Sequence, residues 1–324
     1  MNLHHLRYAV AVARSGLSVT QAAASLGTSQ PAVSRALKEL ERELGFDLFV
    51  RDGRTFSRLT SEGERVIAAA RRALDEIENI GVLAANLNDD AHGTLAIATT
   101  HTQARYVLPP VVREFRRRFP EVGLHLHQGT SEQIAELIAA ERVQLAIATG
   151  SESLFPGLVR LPVYRWYRHV IVPRRHPLAR VDRLELRELA NHPLVTYVFS
   201  FAGPSSLEQI FAREGLVPKV ALTARDSDVI KTYVRLGLGV GIVASMALVP
   251  EEDRDLAVID ASHLFPIHTT WVGYRRRTLL RDYAYEFLQL FGPHLTRRLV
   301  ARATEAGSAE VRAELFRRIA LPMR

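Results

Sequence analysis

Ser29, Gln30, Ser34, Arg35 and Lys38 are spaced so that one helix face, near its amino-terminal end, carries only short or forked polar groups. When such a helix lies in the major groove of DNA, groups of these types reach base edges and phosphates. The run Thr28-Ser29-Gln30-Pro31 supplies the helix start, with Ser29 as the cap and Pro31 in the first turn, where its missing N–H costs nothing. Val33, Leu37, Leu40 and Leu44 repeat at helical spacing on the opposite face, and Gly45 closes the helix. A shorter helix precedes it: Ser18 and Gln21 form a capping box, Val19, Ala22, Ala23 and Leu26 follow at helical spacing, and Gly27 ends the run. A first helix bearing Leu3, Leu6, Val10 and Ala13 covers the pair, and two short apolar segments around Asp52-Gly53 predict a hairpin edged by Arg51, Arg54 and Arg58. Together these predict a winged helix-turn-helix that holds DNA through Thr28, Ser29, Gln30, Ser34, Arg35, Lys38, Arg51 and Arg54. A helical hairpin used only for packing would show the same periodicity; the third helix and the arginine-edged hairpin favour DNA.

A second constellation lies at Thr99-Thr100-His101-Thr102-Gln103, between an apolar strand and a helix. Ligands of open α/β sheets bind beyond the carboxyl ends of strands, and a helix amino terminus favours an anion there. Thr149-Gly150 follows another strand in the same way, and Ser200, Ala202, Gly203, Ser205 and Ser206 lie between a strand and a helix farther on. The expectation is a neutral cradle for an oxyanion, built from hydroxyls and backbone dipoles, with Thr100, His101, Thr102, Gln103, Thr149, Ser200 and Gly203 around it. Threonines and serines that merely cap helices would give the same pattern.

Other motifs argue against catalysis and cofactors. Gly237-Leu238-Gly239-Val240-Gly241 follows a helix and precedes a strand, the reverse of a phosphate-binding loop, so close backbone packing explains it better. His125 and His127 share a strand face without a third metal ligand. Asp226, Asp228 and Lys231 read as capping and pairing groups. No nucleophile elbow, zinc-protease motif or P-loop is present, so the expectation is a non-enzyme with neither cofactor nor metal.

The elements that must position these groups fill 324 residues, enough for two or three domains. Absence of cysteine excludes disulfides and thiolate chemistry. The net charge of +7 says little about DNA, because residues 1–60 hold eight Lys/Arg against five Asp/Glu while residues 271–324 hold eleven against five. Arg7 and Arg14 interrupt any apolar leader, and the apolar run Leu236 to Val249 is too short to span a bilayer, which gives cytoplasmic localisation without membrane attachment as the expectation.

A long helix capped by Ser61 and Glu64 should follow the wing, with Ile67, Ala70, Leu74 and Ile77 as the seam of a two-helix dimer contact, packing onto its own domain being the alternative, and a hinge at residues 86–93. From Thr94 strands and helices alternate, predicting an α/β effector domain of two Rossmann-like lobes with mostly parallel sheets. The expected division is 1–59 for the all-α winged helix-turn-helix, 60–90 for linker helix and hinge, 91–300 for the two lobes (91–161 with 266–300, and 162–265), and 301–324 for a helical tail carrying Val311, Leu315, Phe316 and Ile319.

Several long runs carry a more specific resemblance: Leu40-Glu41-Arg42-Glu43-Leu44-Gly45 with Leu48-Phe49, the stretch 98–106, His127-Gln128-Gly129, Ala146-Ile147-Ala148-Thr149, Val195-Thr196-Tyr197, the stretch 228–241 and Pro293-His294-Leu295-Thr296-Arg297. Through them the chain resembles, from end to end, the LysR-type transcriptional regulators, and among them those that govern sulfur metabolism. The resemblance implies an effector domain like the periplasmic sugar and anion binders, homodimers and homotetramers on promoter DNA, and RNA polymerase as a candidate partner. It further implies regulation of sulfate assimilation and cysteine synthesis by an acetylserine- or sulfate-class effector, or, as the alternative, of sulfonate and sulfate-ester use by adenosine phosphosulfate or sulfate. Thr100, Thr102, Gln103 and Thr149 match the family's effector-contacting positions, whereas Ala202 stands where a threonine would be expected.

Overall fold

The computed structural model describes residues 1–324 apart from 54, 89–91, 151 and 202–205, and the side chains of Glu152, Phe199 and Phe201. Its backbone divides into one unit of residues 1–90 with 277–281 and a second of residues 91–276 with 282–324.

The first unit opens with α1 (Leu3–Arg14), α2 (Val19–Ser25) and α3 (Gln30–Leu44), continues through a hairpin of β1 (Phe49–Asp52) and β2 (Thr55–Leu59), and ends in α4 (Ser61–Leu87). Apolar spacing decides what packs: Val10, Val12, Ala22, Val33, Leu37, Leu40 and Leu48 are buried in one core together with Ile67 and Ala70 of α4. Gly27 and Gly45 take the left-handed conformation that ends α2 and α3. The cap of α4 is Thr60, not Ser61: Thr60 Oγ1 accepts the Gly63 N–H at 2.8 Å and is itself fixed by donating to the Asp47 carbonyl at 2.8 Å. The expected dimer seam also needs correction, because Ile67 and Ala70 are spent on the unit's own core and Leu74 packs against it. The apolar side chains that α4 leaves exposed lie farther along, at Ile80, Leu83 and Leu87. Residues 277–281 belong to this unit because Asn79 grips them from both sides, donating to the Arg277 carbonyl at 2.9 Å and accepting the Leu279 N–H at 2.8 Å.

The second unit runs β3 (Gly93–Thr99), α5 (Leu108–Arg118), β4 (Val122–Gln128), α6 (Ser131–Ala139), β5 (Leu145–Ala148), β6 (Leu158–Trp166), β7 (Arg168–Pro173), α7 (Leu186–Ala190), β8 (Pro193–Tyr197), α8 (Leu207–Ala212), β9 (Lys219–Ala224), α9 (Ser227–Arg235), β10 (Val240–Ala244), β11 (Leu256–Asp260), β12 (His268–Arg275), α10 (Asp282–Phe291), α11 (Arg297–Glu305) and α12 (Ala309–Phe316). Two five-stranded sheets result, ordered β4-β3-β5-β12-β6 and β11-β7-β10-β8-β9. Each is mixed, not mostly parallel: β4, β3 and β5 run parallel, as do β9, β8 and β10, while β12 and β6 in one sheet and β7 and β11 in the other are antiparallel to their neighbours. The antiparallel members are the strands at which the chain passes from one sheet to the other, so β6 continues into β7 and β11 leads to β12.

The two sheets have separate cores, one around Ile134, Ile138, Ala146 and Trp271, the other around Val170, Leu189, Leu194, Phe211 and Ile242. The Gly237–Gly241 run packs as expected. A Cβ on Gly241 would fall 2.5 Å from Ile171 Cγ1, and one on Gly239 would strike the Pro193 carbonyl. At the edge of the first sheet, residues 322–324 lie along β6, where Arg165 N donates to the Pro322 carbonyl at 2.8 Å and Arg324 N to the Arg165 carbonyl at 2.9 Å. In the tail, Arg312 and Phe316 face inward while Val311 is exposed, contrary to the apolar stripe read from the sequence.

Candidate functional site

On the first unit, α3 presents the polar face its spacing predicts. Gln30, Arg35 and Lys38 are exposed, Ser34 is half-buried and bonded by Gln30 at 3.5 Å, and Ser29 Oγ accepts the Ala32 N–H as the helix cap. Thr28 is half-buried beside them. Arg51 differs from the expected free phosphate contact: its guanidinium pairs with Glu41 at 3.2 Å and lies 5.0 Å from the Phe56 ring centroid. Glu41, which carried no expectation, is the reason. Its buried carboxylate accepts the N–H groups of Leu48 at 2.9 Å and Phe49 at 3.4 Å, so α3 and the hairpin are fastened to one another at the first strand. Arg54 lies outside the described residues.

In the second unit, the carboxyl ends of both parallel triplets open on one cavity of about 1720 Å³. Thr100, His101, Thr102 and Gln103 reach it after β3, Gly129 to Ser131 after β4, and Thr149 and Gly150 after β5; Tyr197 and Val198, Arg225 and Asp226, and Ala244 reach it from β8, β9 and β10. The helix after Thr102 begins with a π-helical turn over Gln103–Val107, a local widening common where a helix end is shaped for a site. Trp166, Arg168 and His268 line the cavity from the strands that cross between the sheets.

Of the expected cradle residues, Thr100, His101, Thr102, Gln103 and Thr149 line this cavity, but their bonding is uneven. Thr149 Oγ1 sits 3.3 Å from Thr270 Oγ1 and accepts from Trp166 Nε1 at 3.4 Å. Gln103 is buried and its carboxamide is committed, accepting from the Tyr164 hydroxyl and donating to Thr270 at 3.5 Å. Burial pushes the Tyr164 phenol up to about 12, so at neutral pH it is the donor of that bond. Thr102 hydrogen-bonds Tyr197, whose phenol is raised above its ordinary value by full burial and also bonds Ser227 at 2.6 Å. Ser200 is not in the cradle: it is fully buried, bonds Thr196 at 3.3 Å and does not line the cavity. Ser206 caps α8, and Ala202, Gly203 and Ser205 lie outside the described residues.

His101 turns outward and joins the halves of the site, with Nδ1 3.1 Å from Gln128 and Nε2 3.0 Å from Asp228. Asp228 also accepts the Tyr106 hydroxyl at 2.7 Å and pairs with Arg105 at 3.0 Å. Burial works against its charge, but Tyr106, His101 and Arg105 outweigh it and hold the carboxyl below the usual range. Asp226, Asp228 and His101 offer ligand atoms within 4.8 Å of one another. Asp226 is the cap of α9 and Asp228 is neutralised by Arg105, which makes the group an ion-pair network rather than a cation cage. Lys231 is spent on Asp253, 2.6 Å away.

Sequence reasoning missed Thr270, Trp166, His268 and Arg168, all on the crossing strands. Thr270 and Trp166 pair with the expected threonine and glutamine, a relation that only the β12–β6 ladder creates.

Residues 3–64 match the family model described as bacterial regulatory helix-turn-helix protein, lysR family, and residues 88–296 match the LysR substrate binding domain. The chain is 46% identical over 321 residues to the HTH-type transcriptional regulator CysB of Haemophilus influenzae, covering 99% of each chain. To the HTH-type transcriptional regulator cbl of Escherichia coli it is 42% identical over 310 residues, 96% of this chain and 98% of that one. The crystal structure of the cofactor-binding domain of the Cbl transcriptional regulator superposes with a TM-score of 0.62 at 43% identity, over 67% of this chain and 96% of that chain. No helix among the described residues is long and apolar enough to cross a membrane.

Proposed function

We propose that this chain, which belongs to the LysR family of transcriptional regulators, governs sulfur-assimilation and cysteine-synthesis genes through a small anionic effector held in the cavity of its second unit. The observation that carries the reading is the convergence of Thr100, Thr102 and Thr149 at the carboxyl ends of β3 and β5, where hydroxyls and a helix start face open cavity. Neutral donors of that kind suit a sulfate or acetylserine oxygen. The names of the relatives, CysB and Cbl, support the sulfur connection.

In this reading, Gln30, Ser34, Arg35 and Lys38 face the groove of a promoter half-site, and a second copy takes the other half-site. The exposed Ile80, Leu83 and Leu87 of α4 support pairing between copies, in dimers that assemble further to tetramers in the cytoplasm, with RNA polymerase as the downstream partner. The effector acts only by binding one arrangement of the lobes better than another. A second reading rests on cavity size: about 1720 Å³ far exceeds what sulfate fills and would admit adenosine phosphosulfate, which suits a regulator of sulfonate or sulfate-ester use.

Footprinting of the purified protein on its own upstream region, with sulfate, acetylserine and adenosine phosphosulfate added separately, tests both. A change in the protected bases with one compound supports the corresponding reading. Identical footprints with all three, at concentrations where calorimetry shows binding, would refute effector control.

A further inference from the structure

Arg168 opens β7 and lines the cavity where the chain passes between the two sheets. Only 3% of the residue is exposed, yet its Nε and Nη1 find no hydrogen-bond partner among the described residues. Its guanidinium lies 5.8 Å from the Phe265 ring centroid, a distant contact. Burial lowers its pKa to about 10, so it stays cationic at neutral pH, and among the described residues the ionisable neighbour that acts on it is the Tyr197 phenol and no carboxylate. Lys231, equally buried in this unit, is by contrast paired with Asp253. A buried charge left without a counter-ion opposes folding, so a group of this kind persists where something else requires it.

His268 stands close by, on the first strand position after the return crossing. Its Nε2 also lacks a partner among the described residues, and its ring stacks on Trp166 at 4.5 Å. Burial and the Arg168 charge hold it near 4, so it is neutral and does not compete for an anion.

We propose that Arg168 is the charged anchor of an anion subsite on the crossing strands, and that it takes the carboxylate or sulfate oxyanion of the cavity's ligand. A planar guanidinium matches such groups with paired N–H donors. The neutral threonines then orient the remainder of the ligand. The inference rests on the reading of the cavity as an effector site, and it adds that charge selection occurs at the pivot between the sheets.

Calorimetric titration of the full chain with inorganic sulfate and, separately, with acetylserine distinguishes the two sources of the oxyanion. The variants are Arg168→Met, Arg168→Lys and Thr102→Val, each with a thermal melt in the absence of ligand. The expected result is a loss of at least tenfold in affinity for whichever anion binds in Arg168→Met, substantial rescue in Arg168→Lys, and a ligand-free melting temperature for Arg168→Met equal to or above that of the parent. A purely structural arginine would instead lower that temperature and leave affinity within about twofold, which overturns the inference while leaving the proposed function intact. Loss of anion binding in Thr102→Val alone, with Arg168→Met unaffected, overturns it as well. If the parent chain binds neither anion, the inference falls together with the function it rests on.

Discussion

Replacing Glu41 should damage the amino-terminal unit more than any exposed charge change there, and the size of the effect follows from its bonds. One carboxylate oxygen accepts two backbone N–H groups, at 2.9 and 3.4 Å, from residues whose side chains are fully buried. The other pairs with Arg51, which is 45% exposed and so contributes under about 1 kcal/mol. Glu41→Ala orphans both donors; at roughly 1–3 kcal/mol for each unsatisfied group, with the longer bond at the low end, the loss is about 3 kcal/mol. Glu41→Gln retains an acceptor oxygen and should lose about 1 kcal/mol, and Arg51→Ala no more than that. Scanning calorimetry reads this directly, since a domain of this size shifts its own transition by about 4–8 °C per kcal/mol. Promoter affinity should fall with it, because the wing is no longer fixed to the reading helix. Equal, small shifts for Glu41→Ala and Arg51→Ala would refute the reasoning, because the backbone bonds would then carry no weight.

Arg35→Ala should abolish specific promoter binding while effector titration remains as in the parent, and unchanged promoter affinity in a gel-shift assay would remove the role assigned to that side chain. His268 should make stability depend on pH. Its pKa is lowered on folding to about 4, so its contribution is complete above about pH 6.5, falls as the unfolded chain takes up a proton below that, and levels off below about 4. The loss across that window is on the order of 3 kcal/mol. Urea midpoints from pH 4 to 8 measured for the parent and for His268→Phe should diverge in slope there, and parallel profiles would place the titration elsewhere.

The reading helix was legible because one local pattern decides it: Ser29 caps, Pro31 starts, and Val33, Leu37 and Leu40 bury. The strands at 93–99 and 145–148 were legible for the same reason, as short apolar runs before helices. β6 was not, because Pro162 and two arginines interrupt its pattern. The structure tolerates them because β6 is an edge strand and the proline sits at a register shift opposite Thr270 and Trp271. Mixed sheets were missed because β12 and β7 run against the parallel triplets beside them, and no local pattern carries strand direction. Arg168 could not be singled out in a chain with thirty-nine arginines and three lysines; only the fold separates its buried guanidinium from the many solvated ones. Thr270 and Gln103 are 167 residues apart, and nothing local announces their bond.

Residues 322–324, laid along the outer side of β6, have a consequence beyond ligand binding. An uncovered border strand offers donors and acceptors that any extended peptide can adopt, including the same strand of a neighbouring molecule. By occupying Arg165 from outside, the tail blunts the far end of that border and leaves less of it open to strand addition.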